Sequence, residues 1–118
     1  VADLADVRKG DIEGKIVGTL PYMATEQLQA QGMGPQADLY GVGVVLWKMI
    51  TNELPYAGLT PMQSAVRRVA SGTPKMRSLY PEVPADLAKV IDRSVSKDPE
   101  DRYKDAAEMS LALLATSG

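Results

Sequence analysis

The chain has 118 residues, 45% of them hydrophobic and 24% charged, with a formal net charge of -2, the balance of one globular domain of modest size. It holds no cysteine and no histidine, which excludes disulfides, thiolate metal sites, the commonest zinc ligand and any Ser-His-Asp relay. The near-neutral charge gives no electrostatic ground for nucleic acid, no apolar run approaches the roughly 18 residues of a membrane span, and no secretory leader opens the chain, so a cytoplasmic setting without membrane contact is expected.

Residues 1–7 read as a short strand or turn, and residues 8–18, with Gly10, Gly14 and Gly18 among charges, as a mobile loop. A short helix is expected over Thr25–Ala30, ended by Gly32-Met33-Gly34-Pro35. The strongest helix covers about Ala37 to Thr51. Its Leu39, Val42, Val44, Val45, Leu46, Trp47, Met49 and Ile50 do not keep to one stripe, the pattern of a helix buried on all sides. Its β-branched run Val42–Leu46 has a strand as rival, and length favours the helix. Trp47 reads as core.

Asn52–Gly58 is a loop; Thr60, Pro61 and Gln63 then supply a cap, a first-turn proline and a capping box for a helix to about Ser71. The basic residues Arg67, Arg68, Lys75 and Arg77 read as a solvated helix face. Gly72, Pro74, Pro81 and Pro84 bound a long loop, and Ala85–Val95 is amphipathic, with Leu87, Val90, Ile91 and Val95 on one side. Asp98-Pro99-Glu100-Asp101 reads as a capped single turn. Asp105 to Glu108 reads as a second capping box, opening a last helix whose Met109 and Leu113 face inward.

Two stretches match ligand motifs only superficially. Gly32 to Ala37 fits G-x-G-x-x-A, but no strand precedes it and Pro35 intrudes, so it reads as a loop. Asp98, Glu100 and Asp101 lack the glycine and distal glutamate of a calcium loop.

Three ordered blocks carry a more specific signal: Gly18-Thr19-Leu20-Pro21-Tyr22-Met23-Ala24-Thr25-Glu26, then Asp38-Leu39-Tyr40-Gly41-Val42-Gly43-Val44-Val45-Leu46, then Lys97-Asp98-Pro99-Glu100-Asp101-Arg102. Together they resemble the C-terminal half of a serine/threonine protein kinase catalytic domain. The resemblance implies a mainly α fold, the helical part of the kinase C-terminal lobe within a parent α+β fold. It divides the chain into an activation segment at 1–26 and a helical subdomain at 27–118.

By the same resemblance, Asp3 stands at the Asp-Phe-Gly position as the Mg²⁺ ligand, with Leu4 and Ala5 for Phe and Gly. Ala5 is the sharper departure, because Gly permits backbone angles that Ala resists. Thr19 resembles the threonine that touches the catalytic residues of kinases acting on Ser or Thr. Leu20, Pro21, Tyr22, Met23 and Ala24 would line the pocket for the residue following the phosphoacceptor. Thr25 occupies the usual proline position.

Glu26 would pair with Arg102 in a bidentate fork of structural importance. Asp38 would accept backbone hydrogen bonds from the catalytic loop, or else serve as a helix N-terminal acid. No Ser, Thr or Tyr lies between Asp3 and Thr19, so no phosphorylation switch is expected there. Lys48, where many kinases carry Glu, would disfavour an upstream Arg in the substrate.

A parent domain of this kind transfers the γ-phosphoryl of ATP, with Mg²⁺, to protein Ser or Thr. The Gly-rich loop, strand Lys, helix Glu, catalytic-loop Asp and second metal ligand are not identifiable in this sequence, so the chain alone is expected to be inactive and to bind no ATP. The expected partners are the protein substrate and the missing N-terminal lobe. The long apolar helix, lacking its usual neighbours, should leave an apolar patch and promote self-association. The alternative is a pseudokinase-derived interaction module presenting the helix at Thr60–Ser71.

Overall fold

The computed structural model describes residues 20–31 and 34–116. They form six α-helices: α1 (Thr25–Leu28), α2 (Pro35–Thr51), α3 (Pro61–Ser71), α4 (Met76–Leu79), α5 (Ala85–Ser94) and α6 (Ala106–Leu114). Single 3₁₀ turns lie at Leu20–Tyr22 and Pro99–Asp101, and the described residues contain no strand. The mainly α expectation holds.

α5 and the two 3₁₀ turns pack directly on α2, α3 packs on α1 and the first 3₁₀ turn, and α4 and α6 pack on α5. Pro35 takes the first position of α2, where a missing N–H costs nothing, so the helix begins two residues before the expected Ala37. Asn52 ends it in the left-handed conformation at φ 63°, its N–H reaching Lys48 O at 2.7 Å. Three apolar clusters line its length. Ala37, Tyr40 and Val44 meet Ala24 and Val95; Trp47 meets Met76, Val83, Ala88 and Ile91; Leu39 meets Val90, Tyr103 and Met109.

At Gly43, α2 and α5 approach so closely that a Cβ would collide with Ser94 Oγ and lie 2.8 Å from Val95 Cγ1.

The expectation that α2 is buried on every side is not met. Val42 and Val45 are each 45% exposed and Met49 is 75% exposed. With Asp38 they form an i, i+4, i+7, i+11 stripe that no described element covers. The expected apolar patch is therefore present among the described residues.

Local signals elsewhere mostly fold as read. Thr60 Oγ1 accepts from Gln63 N at 3.2 Å and Gln63 Oε1 accepts from Thr60 N at 3.0 Å, a complete capping box. At α6 only half a box forms. Asp105 accepts from Glu108 N at 2.9 Å, but the Glu108 carboxylate turns to Lys104 N and to Arg93, 3.2 Å away. The turn at Pro99–Asp101 has no side-chain cap from Asp98. The loop expected between Gly72 and Pro84 contains the one-turn helix α4, whose first N–H donates to Asp92 Oδ1 of α5 at 2.9 Å.

Candidate functional site

The described part of the first motif runs from Leu20 to Glu26, and two buried arginines hold it. The 3₁₀ turn closes with Met23 N donating to Leu20 O at 3.2 Å. Ala24 follows with no exposure, wedged against Ala37, Tyr40, Val44 and Val95, and its N–H donates to Gln27 Oε1 at 2.9 Å. Thr25 and Glu26 then begin α1, where an acid complements the positive helix end. Leu20 to Met23 are half-buried and Ala24 is buried.

Arg102, just past the Pro99–Asp101 turn, is the first anchor. Its side chain has no solvent exposure and that of Glu26 is 13% exposed. Nη1 meets Glu26 Oε2 at 2.7 Å and Nη2 meets Glu26 Oε1 at 2.9 Å, a bidentate fork. The remaining donors reach Gln36 O at 3.1 Å, Lys97 O at 3.1 Å and, from Nε, Ser96 O at 2.8 Å. One guanidinium thus joins α1, the start of α2 and the segment after α5. Thr25 Oγ1 donates to the same Lys97 carbonyl at 2.5 Å, so the residue at the proline position adds a bond to this anchor.

Burial pushes the Glu26 carboxyl up, but the Arg102 hydrogen bonds and charge, with the Thr25 hydroxyl, outweigh it and leave Glu26 below its ordinary value.

Arg68 of α3 is the second anchor, and it departs from the solvated face that the sequence suggested. It is 1% exposed. Nη2 donates to Leu20 O at 2.7 Å, while Nη1 donates to Pro21 O at 2.8 Å and to Met23 O at 3.1 Å. Nε reaches Ser64 O of its own helix at 3.4 Å. Among the described residues it has no carboxylate partner. The reason for burial is local: Leu20 O has one turn partner and a lone pair to spare, Pro21 O and Met23 O have no other donor among the described residues, and a guanidinium satisfies all three at once.

Tyr40, fully buried on α2, touches both anchors. The guanidinium carbons of Arg102 and Arg68 lie 5.1 and 6.0 Å from its ring centroid, within cation–π range. Its hydroxyl lies 3.5 Å from Arg68 Nη1 and 3.1 Å from Thr73 Oγ1. In the sequence Arg68 reads as part of a solvated face and Tyr40 only as part of the second motif block, with no role at this site for either. The usable signal was spacing, since Arg68 follows the small residues Ser64 and Ala65 by four and three positions, on the face that packs inward.

The other candidates do not join this constellation. Asp38 is exposed in the first turn of α2, and among the described residues no donor reaches its carboxylate, as suits a helix N-terminal acid. Lys48 is exposed in the last turn. Asp3, Leu4, Ala5 and Thr19 lie outside the described residues. Among those described, no group of three His, Cys, Asp or Glu could hold a metal ion. No described helix is long and apolar enough to cross a membrane.

Comparison with known proteins places this geometry. Residues 4–112 match the protein kinase domain family. The serine/threonine-protein kinase Pkn1 of Myxococcus xanthus is 39% identical over 114 residues, covering 96% of this chain and 16% of that protein. The serine/threonine-protein kinase PknB of Mycobacterium tuberculosis strain H37Rv is 31% identical over 99 residues, 84% of this chain and 16% of its own. PknL of the same species (strain CDC 1551) is 29% identical over 102 residues, 86% and 26%. The chain thus spans about a sixth to a quarter of the length of these relatives. It belongs to the protein kinase domain family, as a helical portion of a serine/threonine-type domain.

Proposed function

We propose that this chain forms the substrate-facing helical part of a domain that transfers the γ-phosphoryl of ATP to protein Ser or Thr. In this reading residues 1–26 are the activation segment and 27–118 the helical subdomain. Leu20 to Met23 line the pocket for the residue after the phosphoacceptor, Ala24, expected there too, is instead buried in the core beneath them, and Thr19 is assigned to contact with the substrate and the catalytic loop. Asp3 is the carboxylate for Mg²⁺, whose role is to neutralise charge on the transferred phosphoryl.

The observation that carries the reading is the double anchorage of 20–26. A loop bound to two buried cations is preorganised, and phosphoryl transfer depends on positioning.

The test uses the intact protein that carries this sequence, labelled ATP and peptides varied at the position after the phosphoacceptor. Transfer to Ser or Thr with a preference at that position is expected, and no dependence on an upstream Arg, given Lys48. Absence of transfer, with ATP bound, would favour an interaction module instead. The isolated 118-residue chain should show no transfer. Its Val42, Val45 and Met49 stripe should drive self-association, visible as oligomers in sedimentation.

A further inference from the structure

We infer that Arg68 is a positioning residue for the protein substrate: from α3 it sets the shape of the 20–24 loop, and through that backbone it governs substrate binding without touching substrate. The inference rests on the kinase reading of that loop.

Burying a guanidinium is costly unless its donors are met, and Arg68 meets that cost almost wholly with the loop. Three of its contacts are the carbonyls of Leu20, Pro21 and Met23, all within 3.1 Å. Their negative ends converge on the cation, which fixes three peptide planes within four residues. No apolar residue of similar length could replace this, because the carbonyls of Pro21 and Met23 would lose their donor. A lysine keeps the charge but presents one compact ammonium where a planar fork spans Leu20 O and Met23 O.

The surrounding structure holds Arg68 in turn. Ser64 O accepts its Nε, and Tyr40 lies against it with its hydroxyl in reach of both Nη1 and Thr73. The helix that carries it is fixed at its start by the Thr60–Gln63 capping box, and after its end Tyr56 Oη donates to Gly72 O. Arg68 is therefore a rigid post against which the loop is shaped.

The test compares wild type, Arg68→Met and Arg68→Lys in the intact protein. Arg68→Met should raise the KM for a peptide substrate by about tenfold or more while the KM for ATP changes less than about twofold, with Arg68→Lys intermediate. Amide exchange at residues 22–24 should quicken in both variants while that of α2 and α5 stays unchanged. Should Arg68→Met fail to fold, Arg68→Lys decides. A folded variant of either kind with wild-type peptide KM and wild-type exchange at 22–24 overturns the inference, as does an equal loss in both KM values. If wild type transfers no phosphoryl to Ser or Thr, the kinase reading fails. Unchanged exchange at 22–24 then still overturns the role of Arg68 as the post that shapes the loop.

Discussion

Two arginines hold one loop, and they do so by different chemistry. Arg102 grips a side chain, the carboxylate of Glu26, and three carbonyls from two other places in the chain. Arg68 grips mainly backbone across the chain, with Tyr40 its one distant side-chain contact and no carboxylate partner among the described residues. The first contact depends on two residue identities and can be foreseen from a pair of motifs. The second depends on one identity and a fold that brings carbonyls to it. A carboxylate partner neutralises the buried cation, whereas carbonyl dipoles only offset its lost hydration. Arg102 should therefore matter most for stability of the whole subdomain, and Arg68 for the local form of the loop.

The sharpest way to break the contrast is Arg102→Met. It leaves Glu26 charged and partly buried, and should cost about 3–5 kcal/mol in denaturant unfolding. A cycle with Glu26→Gln should then show strong coupling, while a cycle of Arg68→Met with Glu26→Gln should be near additive. Arg68→Met itself should cost less, about 2 kcal/mol, because it removes charge-assisted bonds without stranding a charge. Equal losses for the two arginines would erase the distinction drawn above.

Thr25 refines the Arg102 side. Thr25→Ala removes the bond to Lys97 O and should cost about 1 kcal/mol. Thr25→Pro loses the same bond but presets the backbone at the first position of α1, so its net effect should be smaller.

The smallest effect is the response to acid. The Glu26 carboxyl sits below its ordinary value of 4.5. Its contribution is thus fully present above that pH and is lost as pH falls through the lowered folded value. Asp92, raised mainly by burial against the pull of its Met76 hydrogen bond, acts with the opposite sign, favouring the folded state as pH falls. Wild type and Glu26→Gln share Asp92, so the stability gap between them isolates Glu26. That gap should narrow below pH 4.5 and stay constant above it; a gap widening on acidification would contradict the lowered value.

Within α3, composition alone misleads. Met62 and Val66 are 64% and 63% exposed while Arg68 is 1% exposed, an inversion of the usual order. The helix places its small residues Ser64 and Ala65 inward, and only a long side chain from the next turn reaches the loop carbonyls beyond them. The same lesson applies to α2. Its apolar residues predicted a helix and most of its core, but not that Val42, Val45 and Met49 would face away from every described element.

The sequence by itself determined the longer helices, though not the one-turn α4, because caps, prolines and apolar spacing act within a few residues: the Thr60–Gln63 box, Pro35 and the α5 stripe are local physics. It also announced the Glu26–Arg102 pair, because two charges of opposite sign in recognisable motifs identify each other across 76 positions. Only the tertiary structure decided where Arg68 went, which carbonyls Thr25 and Arg102 share, and which face of α2 is covered. Those outcomes depend on backbone groups, identical at every residue and so silent in the sequence, and on which helices arrive beside them.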